Sequence, residues 1–358
     1  MKIGILTYHR SHNYGALLQA IALRKVLSDM GHVVTFIDYW PAYHKHLYDV
    51  FSFHNLLKKR GIRGKCRYAK ICFLHYKYRK RRKEAFDLFI TNYIEPHISS
   101  MHESYDIIIH GSDQIWRKQP ELNTYNPIYF GKSDIQARKK ISYAASMGIL
   151  PETDKDKQLL KKYFSYLNAI SVRENSLLEL LHSLGYQTIF HDLDPTLLLP
   201  SDYWEKIFKL EQKDDKYVLY YCLQNAFDIE EINKFALSKG LKLKIIYGKA
   251  TCDSTGIIYT TSDPVEFLSL VHNSSFVFTS SFHGLVFSLI FHKPFFASFK
   301  HNAVRAESLL QSLTLSDHIL PPHSPIPTNS HPVNYSIVDE LIQNMREKSL
   351  SHLSQMIV

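Results

Sequence analysis

Between Phe276 and Phe296 the chain reads FVFTSSFHGLVFSLIFHKPFF, and its chemistry is concentrated in Ser280, Ser281, Phe282, His283 and Gly284. A histidine titrating near neutrality moves a proton in either direction, and hydroxyls ahead of a helix either cap its first turn or help hold an anion there. A serine before a helix is often only a cap, and one histidine among twenty is often structural, so both readings stand at this point. Gly284 lets another backbone or a ligand come close. Other chemically able residues follow other apolar runs: Asn13 and Tyr14 with His9 and Arg10 after GILTY, Ser112, Asp113 and Gln114 after IIIHG, Ser146 after ISYAA, and Arg173 after AISV. Asp113 equally caps the turn after Gly111, and Arg173 with Glu174 equally forms a plain ion pair.

The elements that must position these residues are strands of parallel sheets. Phe276 to Thr279 is an apolar run that passes through the polar corner into helical spacing, ending near Lys293 and Pro294, the outline of a buried strand feeding its crossover helix. Strand Ile3 to Thr7, a loop from Tyr8 to Tyr14, and a helix from Gly15 to Met30 open the chain, with Ala16, Ala20, Leu23, Leu27 and Met30 on one face. Gly31 stops that helix, and Val33 to Ile37 returns as a strand. Gly15 is a single glycine where a dinucleotide fingerprint needs three, which excludes NAD or FAD there. Further strands are expected at Asp106 to His110, Ile141 to Ala145, Ala169 to Val172, Tyr217 to Leu223 and Leu243 to Tyr247. Their carboxyl ends gather on one rim, where ligands of such sheets are met.

The expected fold is therefore α/β, with two Rossmann-like domains over 1–199 and 200–335. A helix over 336–358 is expected to pack back near the domain junction. Asp192 to Pro200, DLDPTLLLP, reads as a semi-rigid exit from the first domain, and Asp263 to Glu266, DPVE, as a capped helix start. Residues from about 43 to 100 break the βα pattern and predict a basic helical insertion. Its KYRKRRK run at Lys77 to Lys83 reads either as a solvated helix face or as attraction to an anionic membrane surface or polyprenyl-pyrophosphate carrier. Nucleic acid ranks below these because no reader motif accompanies the charge.

Length and composition bound the rest. The 358 residues, 45% of them apolar, suffice for two cores, and 43 Lys and Arg against 34 Asp and Glu give +9, which favours anionic partners. Cys66, Cys72, Cys222 and Cys252 form no zinc pattern and read as reduced thiols of a cytosolic protein. The opening MKIGILTYHR has no leader-like pattern and no window is apolar enough to span a bilayer, so a cytoplasmic protein, soluble or at the inner face of the membrane, is expected.

Eight segments in order carry a resemblance: NYGALLQAIAL at Asn13, IDY at Ile37, GSDQIW at Gly111, ISYAASMG at Ile141, SVRE at Ser171, DPTLLL at Asp194, PVEFL at Pro264 and TSSFHGLVFSLIFHKPF at Thr279. Together they resemble the polysaccharide pyruvyl transferase family, in its SFHG form. The resemblance implies two Rossmann-like domains facing across a cleft, similar to the GT-B arrangement. It also implies transfer of a pyruvyl group from phosphoenolpyruvate to a sugar of a bacterial surface polysaccharide, or to its lipid-linked precursor, giving a cyclic ketal. Family members bind the donor through an Arg-x-His element and a second arginine; His283 matches that histidine and Arg173 the second arginine. Ser281 stands where the first arginine would be, and Arg305 is the candidate for the missing charge.

On this reading His283 is the acid/base, with Asp113 holding or deprotonating the acceptor. Arg173, Ser280, Ser281, Phe282, Gly284 and Arg305 bind the donor, and Asn13, Tyr14, Ser112, Gln114 and Ser146 bind the acceptor. No metal or cofactor is expected beyond phosphoenolpyruvate as donor substrate. Two alternatives are a GT-B-like glycosyltransferase using a nucleotide sugar and a non-catalytic sugar-binding component of polysaccharide assembly.

Overall fold

A computed structural model describes residues 1–248, 257–327 and 332–358. The first sheet comprises β1 (Lys2–Leu6), β2 (Val33–Ile37), β3 (Ile98–Ser99), β4 (Tyr105–His110) and β5 (Ala137–Ser142), all parallel, in the order β3-β2-β1-β4-β5. A short parallel pair, β6 (Ile170–Val172) with β7 (Ile189–His191), is linked to it by bridges Ile141 to Ala169 and Ala145 to Val172. The second sheet comprises β8 (Tyr217–Cys222), β9 (Lys242–Tyr247), β10 (Ile258–Tyr259), β11 (Phe276–Thr279) and β12 (Phe295–Ala297), again all parallel, in the order β10-β9-β8-β11-β12. Each sheet thus runs its strands in the sense 3-2-1-4-5, the half-Rossmann order, with a reversal of winding between β1 and β4 and between β8 and β11. These two switch points face each other, and the two Rossmann-like domains enclose a cleft between them.

The domains share a continuous apolar cluster. Tyr14, at the start of the helix Tyr14–Asp29, stacks on Phe267 of the helix Pro264–His272 with ring centroids 4.7 Å apart, and its hydroxyl donates to the Ser262 carbonyl at 2.9 Å. The last helix, Tyr335–Ile357, lies against the segment joining the domains. Ser349 Oγ accepts from the Leu193 amide at 3.0 Å, and Arg346 Nε donates to the Leu197 carbonyl at 2.9 Å.

Two local readings need correction. The strand expected over Ile141 to Ala145 lies earlier, at Ala137–Ser142, because as the outer strand it leaves Arg138 exposed and Lys139 and Lys140 half-buried, so its charge hides its strand character. The Asp192 to Pro200 stretch joins the domains, and within it Asp194 and Pro195 to Leu198 are buried at the base of the cleft. The Lys77 to Lys83 run is not wholly solvated. The helix Tyr76–Tyr93 buries Phe86, Phe89 and Ile90, and Arg82 reaches across to the second domain, donating to the Thr260 carbonyl at 2.9 Å and the Tyr14 hydroxyl at 3.1 Å. The rest of the segment is helical as expected, with helices Phe53–Leu57 and Gly61–Leu74 preceding it. Cys66, Cys72 and Cys222 are free thiols, and Cys252 lies outside the described residues.

Candidate functional site

Between the two switch points lies a cavity of about 300 Å³. The loop after β1 contributes Tyr8, Ser11 and Asn13, and the corner after β4 contributes Asp113 and Gln114. The turn after β8 adds Gln224, and the corner after β11 adds Ser280 to His283. Arg305 closes it from the helix Val304–Ser312. Each group is at a strand carboxyl end or the helix after it, so the geometry follows from topology.

His283 is held from two sides. Its Nε2 lies 3.4 Å from Asp194 Oδ2, a fully buried carboxylate whose same oxygen is 2.7 Å from Arg173 Nη1. Asp194 Oδ1 accepts from the amide of Thr196 at 3.0 Å and from its hydroxyl at 2.6 Å, so the carboxylate is fixed from below. Burial alone would raise the Asp194 carboxyl, but Arg173 and then His283 outweigh it and hold it below the usual carboxylate range. On the other side, a Cβ at Gly15 would lie 1.9 Å from His283 Nδ1, so only glycine lets the first helix pass this close. Nδ1 lies against Gly15, and Nε2 faces Asp194 at ion-pair distance while making no hydrogen bond among the described residues, so the ring keeps hydrogen-bonding capacity.

Phe282 carries two guanidinium groups over its ring, Arg173 with Cζ at 5.4 Å and Arg305 at 5.0 Å. They are not equivalent. The charge of Arg173 is paired within the protein: Nη1 lies 2.7 Å from Asp194 Oδ2, while Nε donates to the Ala144 carbonyl at 3.3 Å and Nη2 to Ser112 Oγ. Arg305 has only a long pairing with Asp113 Oδ1 at 4.0 Å, and its buried Nε has no partner among the described residues. Burial and then the like charge of Arg173 lower its pKa, and an anion beside it would relieve both. Near it, the first-turn amides of Phe282 and His283 carry no hydrogen bond among the described residues. Arginine and open helix amides together suit a phosphate or carboxylate.

Other residues singled out from sequence have protein partners. Ser280 Oγ accepts from the amides of Leu223 and Gln224, both at 2.9 Å, which fixes the β8 turn. Ser281 caps its own helix, its Oγ accepting from the Gly284 amide at 3.4 Å. Gly284 makes room for protein, since a Cβ there would meet Thr279 Oγ1 at 2.2 Å. Ser112 Oγ donates to the Ala144 carbonyl at 3.0 Å while receiving Arg173, and Ser146 Oγ bonds Glu174; both serines are fully buried. Burial pushes the Glu174 carboxyl up, with Ser146 opposing. Tyr14 is turned into the domain interface, away from any acceptor. His9 is buried with Nδ1 3.1 Å from the Thr7 carbonyl, and Arg10 pairs with Asp38 at 3.0 Å, so neither reaches the cleft. Asn13, Asp113 and Gln114 do line it.

Asp194 is the residue that sequence reasoning passed over, although an acid followed by Pro-Thr, with the next helical turn apolar, is a capping signature that places it at a helix start. Gln224 was passed over as well. Its Oε1 accepts from the amides of Lys300 and His301, both at 2.9 Å, and this shapes the loop that leads to Arg305. Among the described residues no cluster of ligating side chains fits a metal ion.

The sequence profile of the polysaccharide pyruvyl transferase family matches residues 13–298. A search of curated proteins returned no match. Among solved structures, UDP-GlcNAc 2-epimerase of Methanocaldococcus jannaschii, in complex with UDP-GlcNAc and UDP, aligns over 99% of this chain and 99% of its own, at 11% identity and TM-score 0.47. UDP-GlcNAc 2-epimerase of Neisseria meningitidis aligns over 99% of each chain at 8% identity and TM-score 0.46. The E. coli heptosyltransferase WaaC with ADP aligns over 96% of this chain and 100% of its own, at 10% identity and TM-score 0.41. At these scores the likeness carries no argument, and the two parallel sheets stand on their own hydrogen bonding.

Proposed function

Because the chain belongs to the polysaccharide pyruvyl transferase family, we propose that its cleft transfers a pyruvyl group from phosphoenolpyruvate to two hydroxyls of a saccharide, free or lipid-linked, in building a bacterial surface polysaccharide. The observation that carries this reading is the His283 arrangement: Nε2 facing buried Asp194 at 3.4 Å with no hydrogen bond of its own among the described residues, and Arg305 beside open helix amides. His283 delivers a proton to the methylene carbon of the enol phosphate, leaving a cationic carbon that the first hydroxyl attacks as its own proton departs. Phosphate then leaves with the C–O bonding pair, and the second hydroxyl closes the ketal and loses its proton. Helix amides and Arg305 take up the charge of the departing phosphate. Asp113, on the cleft wall, holds or deprotonates an acceptor hydroxyl, with Asn13 and Gln114 as further acceptor contacts.

Ser281 leaves the donor without the arginine of an Arg-x-His element, and Arg305, stacked on the next residue, replaces it. Arg173 acts through Asp194 and Ser112 to position the site.

The test measures ligand-induced thermal stabilisation, then phosphate release with candidate saccharides. Phosphoenolpyruvate should stabilise the wild type and inorganic phosphate less so. His283→Ala should cost about 10²-fold or more in turnover, and Arg305→Ala should weaken donor binding about 10- to 100-fold, the range of a lost charge-assisted contact. Stabilisation by a uridine or guanosine nucleotide sugar alone, or full turnover in His283→Ala, would overturn the reading.

A further inference from the structure

Apart from the cleft, the most unusual surface is the helical insertion of the first domain. From Phe51 to Lys83 it holds thirteen Lys and Arg and no Asp or Glu, while the rest of the chain holds thirty Lys and Arg against thirty-four Asp and Glu. The whole basic excess of the protein therefore sits in these thirty-three residues. They also turn apolar side chains outward. On the helix Gly61–Leu74, Ile62, Cys66, Ala69 and Phe73 recur at spacings of four, three and four, so they form one stripe. That stripe faces solvent: Ile62 is 81% and Phe73 84% exposed. Arg63, Arg67 and Lys70 run along one side of it and Lys65 along the other, and the preceding short helix adds Phe53 and Leu57, 72% and 71% exposed. The inward side is held by buried Cys72 and by Tyr68, whose hydroxyl accepts from the Ser52 amide at 3.2 Å.

We propose that this face docks on an anionic phospholipid bilayer, with Ile62 and Phe73 entering the headgroup boundary and the flanking Lys and Arg on lipid phosphates. A bilayer supplies both negative charge and hydrocarbon, which is what an apolar stripe bordered by cations requires. A second copy of the chain would bring the same acid-free face against itself and be repelled. Nucleic acid would answer the charge but leave Ile62, Phe73, Phe53 and Leu57 in water. The insertion also forms part of the cleft rim, where His44 and Tyr48 line the cavity and Ser11 Oγ lies 2.6 Å from the Tyr48 hydroxyl. Docking by this face would hold the cleft near the lipid surface. The proposal goes beyond the pyruvyl-transfer reading and does not depend on it.

The experiment is co-sedimentation of the full chain with phosphatidylcholine vesicles, with and without phosphatidylglycerol. Binding is expected only with phosphatidylglycerol and should weaken as salt rises. Ile62→Ser with Phe73→Ser should lower it about tenfold or more, and Arg63→Gln with Lys70→Gln about tenfold. These side chains are on the surface, so unchanged unfolding midpoints and unchanged phosphoenolpyruvate stabilisation are expected in the same variants, which separates failure of docking from failure of the transfer reading. Equal binding to neutral vesicles, binding indifferent to Ile62 and Phe73, or sedimentation of the wild type as a dimer that Phe73→Ser makes monomeric would each overturn the proposal. So would binding to a single-stranded oligonucleotide with no binding to vesicles.

Discussion

After β4 and in the segments beside it, polar side chains turn inward and find protein partners: Ser112 on Ala144 and Arg173, Ser146 on Glu174, Arg173 on Asp194. After β11, in a sheet of the same strand order, the corner ends in a histidine whose Nε2 makes no hydrogen bond among the described residues and in open helix amides, with Arg305 nearby having its Nε unpaired among the same residues. The two rims share a topology and divide the labour. The first domain supplies an internally neutralised frame, with Asn13, Asp113 and Gln114 on its cleft wall, and the second supplies the histidine and the open amides for the anionic ligand. Asp194 joins them, since it belongs to the frame and holds the histidine of the other rim. Charge saturation, more than position at a strand end, separates a residue that positions from one that reacts.

Asp194→Asn is the strongest way to break this contrast. It leaves the Arg173 guanidinium buried without its counter-charge, which should cost about 3–5 kcal/mol of stability, read from urea unfolding. The carboxyl is held below its usual range, so its contribution is present above the unfolded carboxylate pKa and lost as pH falls through the lower folded value. An unchanged urea midpoint in the variant would show that the frame does not depend on this charge.

Gly15→Ala attacks the same junction from the opposite side. The added methyl would lie 1.9 Å from His283 Nδ1, so either the helix Tyr14–Asp29 or the imidazole must move. Overpacking of this kind costs about 1–3 kcal/mol, and turnover should fall nearly as far as in His283→Ala. Retained turnover would mean that His283 need not sit where the first domain holds it.

Acid sensitivity sharpens the contrast at smaller magnitude. His110, the last residue of β4, is fully buried with both nitrogens unpartnered among the described residues, and His9 is buried beyond the end of β1. Burial lowers His110 to about 3 and His9 to about 4. The corresponding strand ends of the second sheet carry Cys222 and Thr279, which do not protonate. Below a pH of about 6.5 the unfolded chain takes up protons at these histidines that the folded chain refuses, so stability falls with pH until the folded values are reached. The slope is about 1.4 kcal/mol per pH unit for each histidine. Between pH 7 and 5 the loss should be about 2 kcal/mol per histidine, and His110→Leu should remove one share. An unchanged pH slope in His110→Leu would contradict this assignment.

The strand ends and the SSFHG corner were legible in the sequence because buried parallel strands are apolar runs with an abrupt polar end, as Phe276 to Thr279 and Asp106 to His110 are. The family resemblance was legible from eight ordered segments, and the profile match over 13–298 agrees. Partner choice was not legible. Nothing local to Ser280, Ser112 or Ser146 says that their hydroxyls are consumed by backbone or by Glu174, since those partners come from distant strands. Asp194 was hidden for the same reason: Pro and Thr after an acid read as a linker until the fold buries them. Strand Ala137–Ser142 was masked by its charge, which only its place at the sheet edge tolerates.

Tyr14 gives the mildest test, because it lies where the two rims are joined without chemistry. Its hydroxyl donates to the Ser262 carbonyl and accepts from Arg82, while its ring stacks on Phe267. Tyr14→Phe keeps the stack, and Arg82 keeps the Thr260 carbonyl at 2.9 Å. The loss should be about 1 kcal/mol, the net worth of a buried hydrogen bond, with donor and acceptor affinities unchanged because the hydroxyl points away from the cleft. A loss of several kcal/mol would mean that the polar bridge, and not apolar packing, holds the domains together. A changed acceptor affinity at unchanged stability would place Tyr14 back among the acceptor contacts, beside Asn13 and Gln114 of the same rim.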